Sequence, residues 1–346
     1  MAGSAQPVGA HLVGSIPAET AEDAFRVAAN TLGGRLKRMP DGEVGERDTW
    51  IRWQYAKLSA SPQIERLNQD SIYTPMPPLG VVSGTATADD IELPNLGYAD
   101  AAIESWQVFE RLAEEGAIPA DVRFQVGLPT PLSVSLLYLE TASRRLFEQA
   151  YERALRDELA RMLKSIPADR LAIQWETVTE FALLEGLMDN HLEGDLMDVL
   201  TRRVARLVDL VPEPAEAGLH LCYGDSGHKH FCEPQDAGFL AAVTAAVLRK
   251  AGRPVNWIHM PVPKERDDGA YFEPLRNLDL PATTELYLGL VHQTGGKEGT
   301  ERRIDTAASI VDRFGVATEC GLGRRPADSI PGLLRQHAAV TVAKSE

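Results

Sequence analysis

The chain has little cysteine, no excess of positive charge and no long apolar run, and each shortfall removes a class of function. Three cysteines, at 222, 232 and 320, are too few for a disulfide framework, so the thiols are expected to be reduced and available for metal or catalysis. A net charge of −15 argues against nucleic acid and against anionic membrane surfaces, which both need a basic footprint. No stretch approaches the length of a transmembrane helix, and Met1 to Thr20 lacks the charged head and apolar middle of a signal peptide, so a cytoplasmic protein with no membrane partner is expected. A Gly-rich dinucleotide fingerprint is also missing after the first strand-like segment. What is there is 346 residues at 44% hydrophobic content, enough to bury a large core.

The most informative stretch is Gly218-Leu219-His220-Leu221-Cys222-Tyr223-Gly224-Asp225. In an extended strand, residues at i and i+2 share a face, so His220 and Cys222 can meet one metal ion, zinc first. The plain alternative is a core histidine beside a buried thiol. A second apolar run, Val316 to Gly323, also ends in a cysteine, Cys320, followed by glycines. Structural zinc sites draw their ligands from short local spacings; thiols on two distant strands fit a metal that lines a pocket. Zinc held by thiolate and imidazole can bind a substrate thiol and make it a thiolate at neutral pH, which suggests alkyl transfer to sulfur.

Along the chain, strand-like and helix-like segments alternate roughly eight times. Strands are expected at 10–17, 123–131, 171–176, 218–222, 255–260, 285–291 and 316–320, and helices at 21–32, 101–115, 140–164, 196–211, 237–251, 300–314 and 330–340. Residues 70–98, rich in Pro, Gly, Thr and Asp, read as an inserted excursion, either a lid or a small hairpin. Alternation of this kind implies a parallel sheet, and at this length the expectation is a closed (β/α)8 TIM barrel, a single domain over residues 1–346. Catalytic groups of such barrels lie at the C-terminal ends of the strands. Ser15, Glu43, Glu176, His220, Cys222, His259, His292 and Cys320 all fall at such ends.

Val13-Gly14-Ser15-Ile16-Pro17, Ile173-Gln174-Trp175-Glu176, His220-Leu221-Cys222-Tyr223 and Glu319-Cys320-Gly321-Leu322-Gly323-Arg324-Arg325 resemble, in order, segments of the catalytic C-terminal barrel of cobalamin-independent methionine synthase. Its superfamily also holds epoxyalkane:coenzyme M transferases and, without the zinc motif, uroporphyrinogen decarboxylase. The resemblance runs over nearly the whole chain, and its specific part is His-x-Cys with the distal Cys-Gly-Leu. It implies a zinc-dependent thiol methyl- or alkyltransferase on a TIM barrel, with a small-molecule thiol acceptor and a methyl or alkyl donor as partners. It further implies His220, Cys222 and Cys320 as zinc ligands, Ser15 as the residue for the acceptor's carboxylate, and Glu176 and Glu43 as partners of its ammonium group. An amino-acid thiol such as homocysteine would then be the natural acceptor.

The chain departs from the family in three ways. The family's fourth ligand is a glutamate, and His259 stands in its place, either as a ligand or as a substrate contact. The spacing from Ser15 to Glu43 is shorter, so the acceptor pocket is expected to be rebuilt. The duplicated N-terminal barrel used in folate handling has no counterpart, which puts a polyglutamated folate donor in question. His292 lies near the family's proton-donating histidine and reads either as a general acid or as a strand-end histidine with ordinary partners. In Gly224 to Cys232, Asp225 and His228 are expected to line the pocket mouth, the alternatives being a second metal site and a capping loop. Arg266, Asp267 and Asp268 read as a surface charge run or as pocket contacts. Rival functions are thiol alkylation by an epoxide, a non-catalytic zinc-binding barrel and a metal-free decarboxylase-like barrel; two carboxylates would do nothing for a sulfonate acceptor lacking an amine.

Overall fold

The computed structural model describes residues 6–343 apart from Ile72 and His228. Its strands are β1 (Arg38–Pro40), β2 (Ile64–Arg66), β3 (Leu79–Val81), β4 (Arg123–Pro129), β5 (Leu171–Thr177), β6 (Glu216–Leu221), β7 (Trp257–Pro261), β8 (Glu285–Gly289) and β9 (Gly315–Val316). Seven of them form one all-parallel sheet in the order β1-β4-β5-β6-β7-β8-β9, so strands of that sheet that follow one another in sequence are neighbours in space. Helices at Ala21–Leu32, Tyr98–Glu114, Thr141–Ser165, Leu196–Asp209, Gly238–Lys250, Gly296–Ala308 and Ile330–Val340 follow the expected alternation; the sixth begins earlier and ends earlier than its composition suggests. No helix among the described residues is long and apolar enough to cross a membrane.

The sheet is curled, and Ala10 bridges toward both of its edges, to Leu36 just ahead of β1 and to Val316 of β9. The expected first strand, 10–17, is nevertheless not a continuous strand: it pairs only at isolated positions, Ala10 and Ser15. The reason lies in the side chains beneath it. Gln125 Nε2 donates to the carbonyls of Leu12 and Val13, and Gln174 Nε2 donates to Val13 as well, so amide side chains take acceptors that a ladder would have used. The eight-stranded closed barrel expected from sequence is therefore present as a seven-stranded curl with a bridging segment. The three-residue β1 went unforeseen, being short and ending in proline.

The excursion supplies the second strand of a hairpin whose first strand, β2, lies just ahead of it. β2 and β3 pair antiparallel, and Ser143 Oγ and the backbone N–H of Glu140, at the start of the Thr141–Ser165 helix, bond to Val81 and Leu79. Arg153 of the same helix holds Ala88, Asp89 and Ile91.

The outward faces of the strands pack on the helices in one apolar cluster that runs from Ala10 to Val340. Inside the curl the filling is polar and aromatic, where barrels ordinarily stack branched aliphatics. Arg38, 3% exposed, bonds Glu216 Oε2 at 2.5 Å and Glu285 Oε2 at 2.8 Å and lies 4.2 Å from the centre of the Trp257 ring. Above it, Gln174 Oε1 is shared by His11 Nε2 at 2.9 Å and Trp257 Nε1 at 3.4 Å. Gly218 makes room for the indole: a Cβ there would sit 2.1 Å from Trp257. Arg38→Ala, which leaves Glu216 and Glu285 without their shared cation, should cost about 3–5 kcal/mol in urea unfolding; a loss below ~1 kcal/mol would show the network to be dispensable.

Candidate metal and acceptor site

Parallel register sets the site. Glu176 of β5 is opposite His220 of β6, which is opposite His259 of β7, so three polar side chains at the C-terminal ends of adjacent strands line one face. Cys222 lies just past β6, its backbone N–H bonded to Thr177 O. β9 is only two residues long, and the turn after it brings Cys320 back across the opening.

The donor atoms of His220, Cys222 and Cys320 all lie within 4.8 Å of one another. Cys320 Sγ is 3.7 Å from Cys222 Sγ and 3.7 Å from His220 Nε2. The contact with Cys222, with burial behind it, pushes the Cys320 thiol well above its ordinary pKa, because two thiolates this close and this dry repel one another. A soft divalent cation removes that penalty, and two sulfurs with an imidazole nitrogen are the donors it prefers, so the residues present fit zinc. His259, fully buried, does not join the three: its Nδ1 is 2.7 Å from His220 Nδ1 and its Nε2 is 2.9 Å from Thr318 O. Burial holds its pKa at about 4, so it is neutral.

Beside the thiols lie the two carboxylates. Glycines clear the space: a Cβ on Gly127 would fall 2.6 Å from Glu176 Oε1 and 3.2 Å from Glu43 Oε1, and one on Gly14 would fall 2.7 Å from Glu43 Oε1. Glu43 has a left-handed backbone, φ 50°, a conformation that costs about 1–3 kcal/mol and collects at functional sites. Asp41 secures it by accepting from Glu43 N, Arg47 and Ser105 Oγ. Burial pushes Glu176 up to about 7; burial and the neighbouring Glu176 push Glu43 well above the carboxylate range. Ser15 completes this side, its Oγ accepting from Gly323 N at 3.2 Å, with Gly321 and Gly323 packed against it.

The remaining expected residues divide. Asp225, 5% exposed, pairs with Arg324 at 3.2 Å. His292 is 3% exposed, and its nitrogens face Val262 O at 2.9 Å and Glu319 Oε2 at 3.1 Å. Burial raises Glu319, but His292 and then Arg325 more than offset this and hold it at about 2. Arg266 and Asp268 pair with each other, and Asp267 pairs with Arg302, on the exposed side. His228 lies outside the described residues.

Three contributors were missed. Arg324 is the cation that acts on Cys320, Glu43 and Glu176 together; its place right after Cys-Gly-Leu-Gly was the available signal. Trp50 has φ 58° and turns a buried Nε1 toward Glu176. Gln125, 1% exposed with an unpartnered Oε1, lines a small cavity with Asp41, Glu43, Arg47 and Tyr98. Nothing in a strand-like segment marks such a glutamine as interior.

No family model matches the chain, and no curated protein matches it in sequence. Solved structures do share its fold. A candidate vitamin-B12-independent methionine synthase from Listeria monocytogenes aligns with a TM-score of 0.57 and 14% identity, over 97% of this chain and 99% of that one. A B12-independent methionine synthase from Shewanella sp. W3-18-1, in complex with selenomethionine, gives 0.58 and 14%, over 97% and 96%. A methyltransferase from Methanosarcina mazei gives 0.51 and 12%, over 96% and 94%. At these identities the likeness is one of fold.

The carboxylate pair sets a pH dependence. A carboxyl whose pKa is raised by folding adds stability below the unfolded value of about 4.3 and loses it as pH rises through the folded value, here about 7 for Glu176. Glu176→Gln should therefore melt close to wild type at pH 4.5 and above it at pH 8. A melting difference that does not change between the two would mean that Glu176 is not protonated in the fold.

Proposed function

We propose that the chain is a zinc-dependent S-methyltransferase of the cobalamin-independent methionine synthase kind, acting on a small thiol that also carries an amine, with homocysteine the simplest candidate. The carrying observation is the juxtaposition of the His220/Cys222/Cys320 donor set, buried but for the half-buried Cys320, with the buried Glu176 and the half-buried Glu43 in a cradle cleared by glycines. The fold shared with methyltransferases supports it, as does selenomethionine, an amino acid, in the Shewanella neighbour. On this reading the whole chain is a single TIM-barrel-like domain and works in the cytoplasm, where its thiols stay reduced.

Zinc held by His220, Cys222 and Cys320 would supply an open coordination position at which a thiol, with pKa about 8.5 when free, becomes a thiolate at neutral pH. Everything else is done by the chain. Glu43 and Glu176 only accept hydrogen bonds when ionised, so an ammonium group between them relieves their repulsion and releases the proton they retain. Ser15 Oγ already accepts from Gly323 N, which leaves its hydroxyl hydrogen to donate to the acceptor's carboxylate. Arg324, aimed by Asp225, balances the negative charge that gathers at the site. His292 is the candidate acid for the departing donor group, a role that requires exchanging its Val262 contact for the donor. An alkyl acceptor with a sulfonate and no amine would leave the carboxylate pair unused, which makes the epoxide-opening reading the weaker one.

The test begins with metal. Purified protein should hold stoichiometric zinc, Cys320→Ser should lose it, and zinc-edge X-ray absorption should gain a sulfur scatterer when homocysteine is added. Absence of zinc, or a sulfur count indifferent to every thiol tried, overturns the proposal. For the acceptor, Glu43→Gln should weaken homocysteine at least about tenfold, the scale of one lost charged hydrogen bond. It should leave 3-mercaptopropionate, which lacks the amine, nearly unchanged; equal losses for both thiols would detach the carboxylates from amine recognition.

A further inference from the structure

His259 occupies the place of a metal ligand without offering a free nitrogen, and the geometry points to a different use: we propose that His259 is a positioning residue that fixes the tautomer of His220. The inference rests on the zinc reading above and concerns what prepares the chain for it. Thr318 O can only accept, so His259 Nε2, 2.9 Å away, carries hydrogen. The contact of 2.7 Å between the two Nδ1 atoms needs one donor and one acceptor. Two arrangements meet that need. In the first, His259 is neutral with its hydrogen on Nε2, its bare Nδ1 accepts from His220 Nδ1–H, and His220 Nε2 is left with a lone pair. In the second, His259 donates from both nitrogens, His220 Nδ1 accepts, and the hydrogen of His220 moves to Nε2. That atom faces Cys320 Sγ at 3.7 Å, and only the first arrangement lets it bind a metal.

The backbone carbonyl of Thr318, two residues ahead of Cys320, thus sets which nitrogen of His220 is bare, through one intervening imidazole. Histidine ligands are usually backed by a carboxylate, a carbonyl or water. A neutral imidazole in that position orients the ring and adds no negative charge. The donor set would then total two thiolates and a neutral imidazole, whose charge a divalent ion would balance. Parallel register makes the relay possible, because His220 and His259 are paired residues on adjacent strands. Both rings are almost fully buried, so water does not compete for the contact.

The test uses the full-length protein reconstituted with cobalt(II), comparing wild type, His259→Asn and His259→Leu. Affinity is read by competition with a chromophoric chelator, geometry from the ligand-field bands, and the number of imidazoles from outer-shell scattering in X-ray absorption. Asparagine places Oδ1 where Nδ1 accepted, so His259→Asn should keep wild-type bands and affinity within about threefold. His259→Leu removes the acceptor and should weaken cobalt by about 10–100-fold, the range for losing an outer-shell partner, while the metal that still binds shows the wild-type count of one imidazole. An imidazole count that falls in either variant makes His259 a ligand and overturns the proposal, and so does wild-type affinity in His259→Leu. Should the leucine variant fail to fold, the asparagine variant decides alone: retained affinity supports positioning, and lost affinity refutes it. A wild-type protein that takes up neither zinc nor cobalt overturns the zinc reading itself, an outcome distinct from all the others.

Discussion

The parallel register of β5, β6 and β7 is the constraint on which the rest of the site depends. It sets Glu176, His220 and His259 in one row, and a slip of one residue in any strand would turn that strand's polar side chain out against the helices. Register in turn depends on the filling of the curl. Trp257 fits only because Gly218 lacks a side chain, and Tyr287 only because Gly315 does, since Cβ atoms there would lie 2.1 and 2.6 Å from the rings. Small-to-large substitution inside a packed core forces backbone shifts, and here the shift would move His220, two residues along from Gly218. Packing beneath the site and geometry at the site are therefore one problem.

The charges show how the acid-rich chain tolerates so many ionisable groups in a dry interior. At the base, Arg38 meets two carboxylates with which it shares hydrogen bonds, the condition under which buried ions are tolerated. At the other end, among the described residues, Glu43 and Glu176 face each other with the more distant Arg324 and Arg47 as cations, and the thiols contact each other, His220 and a backbone amide, with Arg324 acting on them as well. Compensation is thus complete where the fold must be stable and left open where a ligand would complete it. The left-handed Glu43 and Trp50 lie on the open side too, where strain is expected to gather.

Much of this was legible in the chain, for identifiable reasons. The strand-helix alternation has strong periodicity, so most of the helices were found, as was the run of parallel strands. His220, Cys222 and Cys320 were found because thiols are scarce here and chemically specific; the structure gathers all three. Harder to read were features that depend on what a side chain faces. The first strand looked continuous because sequence does not show Gln125 and Gln174 reaching up to take its carbonyls. His259, standing where the resembled family has a glutamate, read either as a ligand or as a substrate contact, whereas the partners it has are His220 on the neighbouring strand and Thr318. Trp50 was invisible for the same reason, since an indole in a loop acquires meaning only from the groups that folding brings beside it; Arg324 stood in plain view after Cys-Gly-Leu-Gly, but the groups it faces did not.

The ionic base of the curl has a consequence for traffic. Arg38, Glu216, Glu285, Tyr287 and Trp257 fill the interior where the strands begin, so on the proposed reading reactants would reach the site from the opposite end alone. Two reactants that approach from one side cannot pass each other, so the one bound deeper would arrive first and leave last. Such an arrangement would impose order on a two-substrate reaction without any moving part.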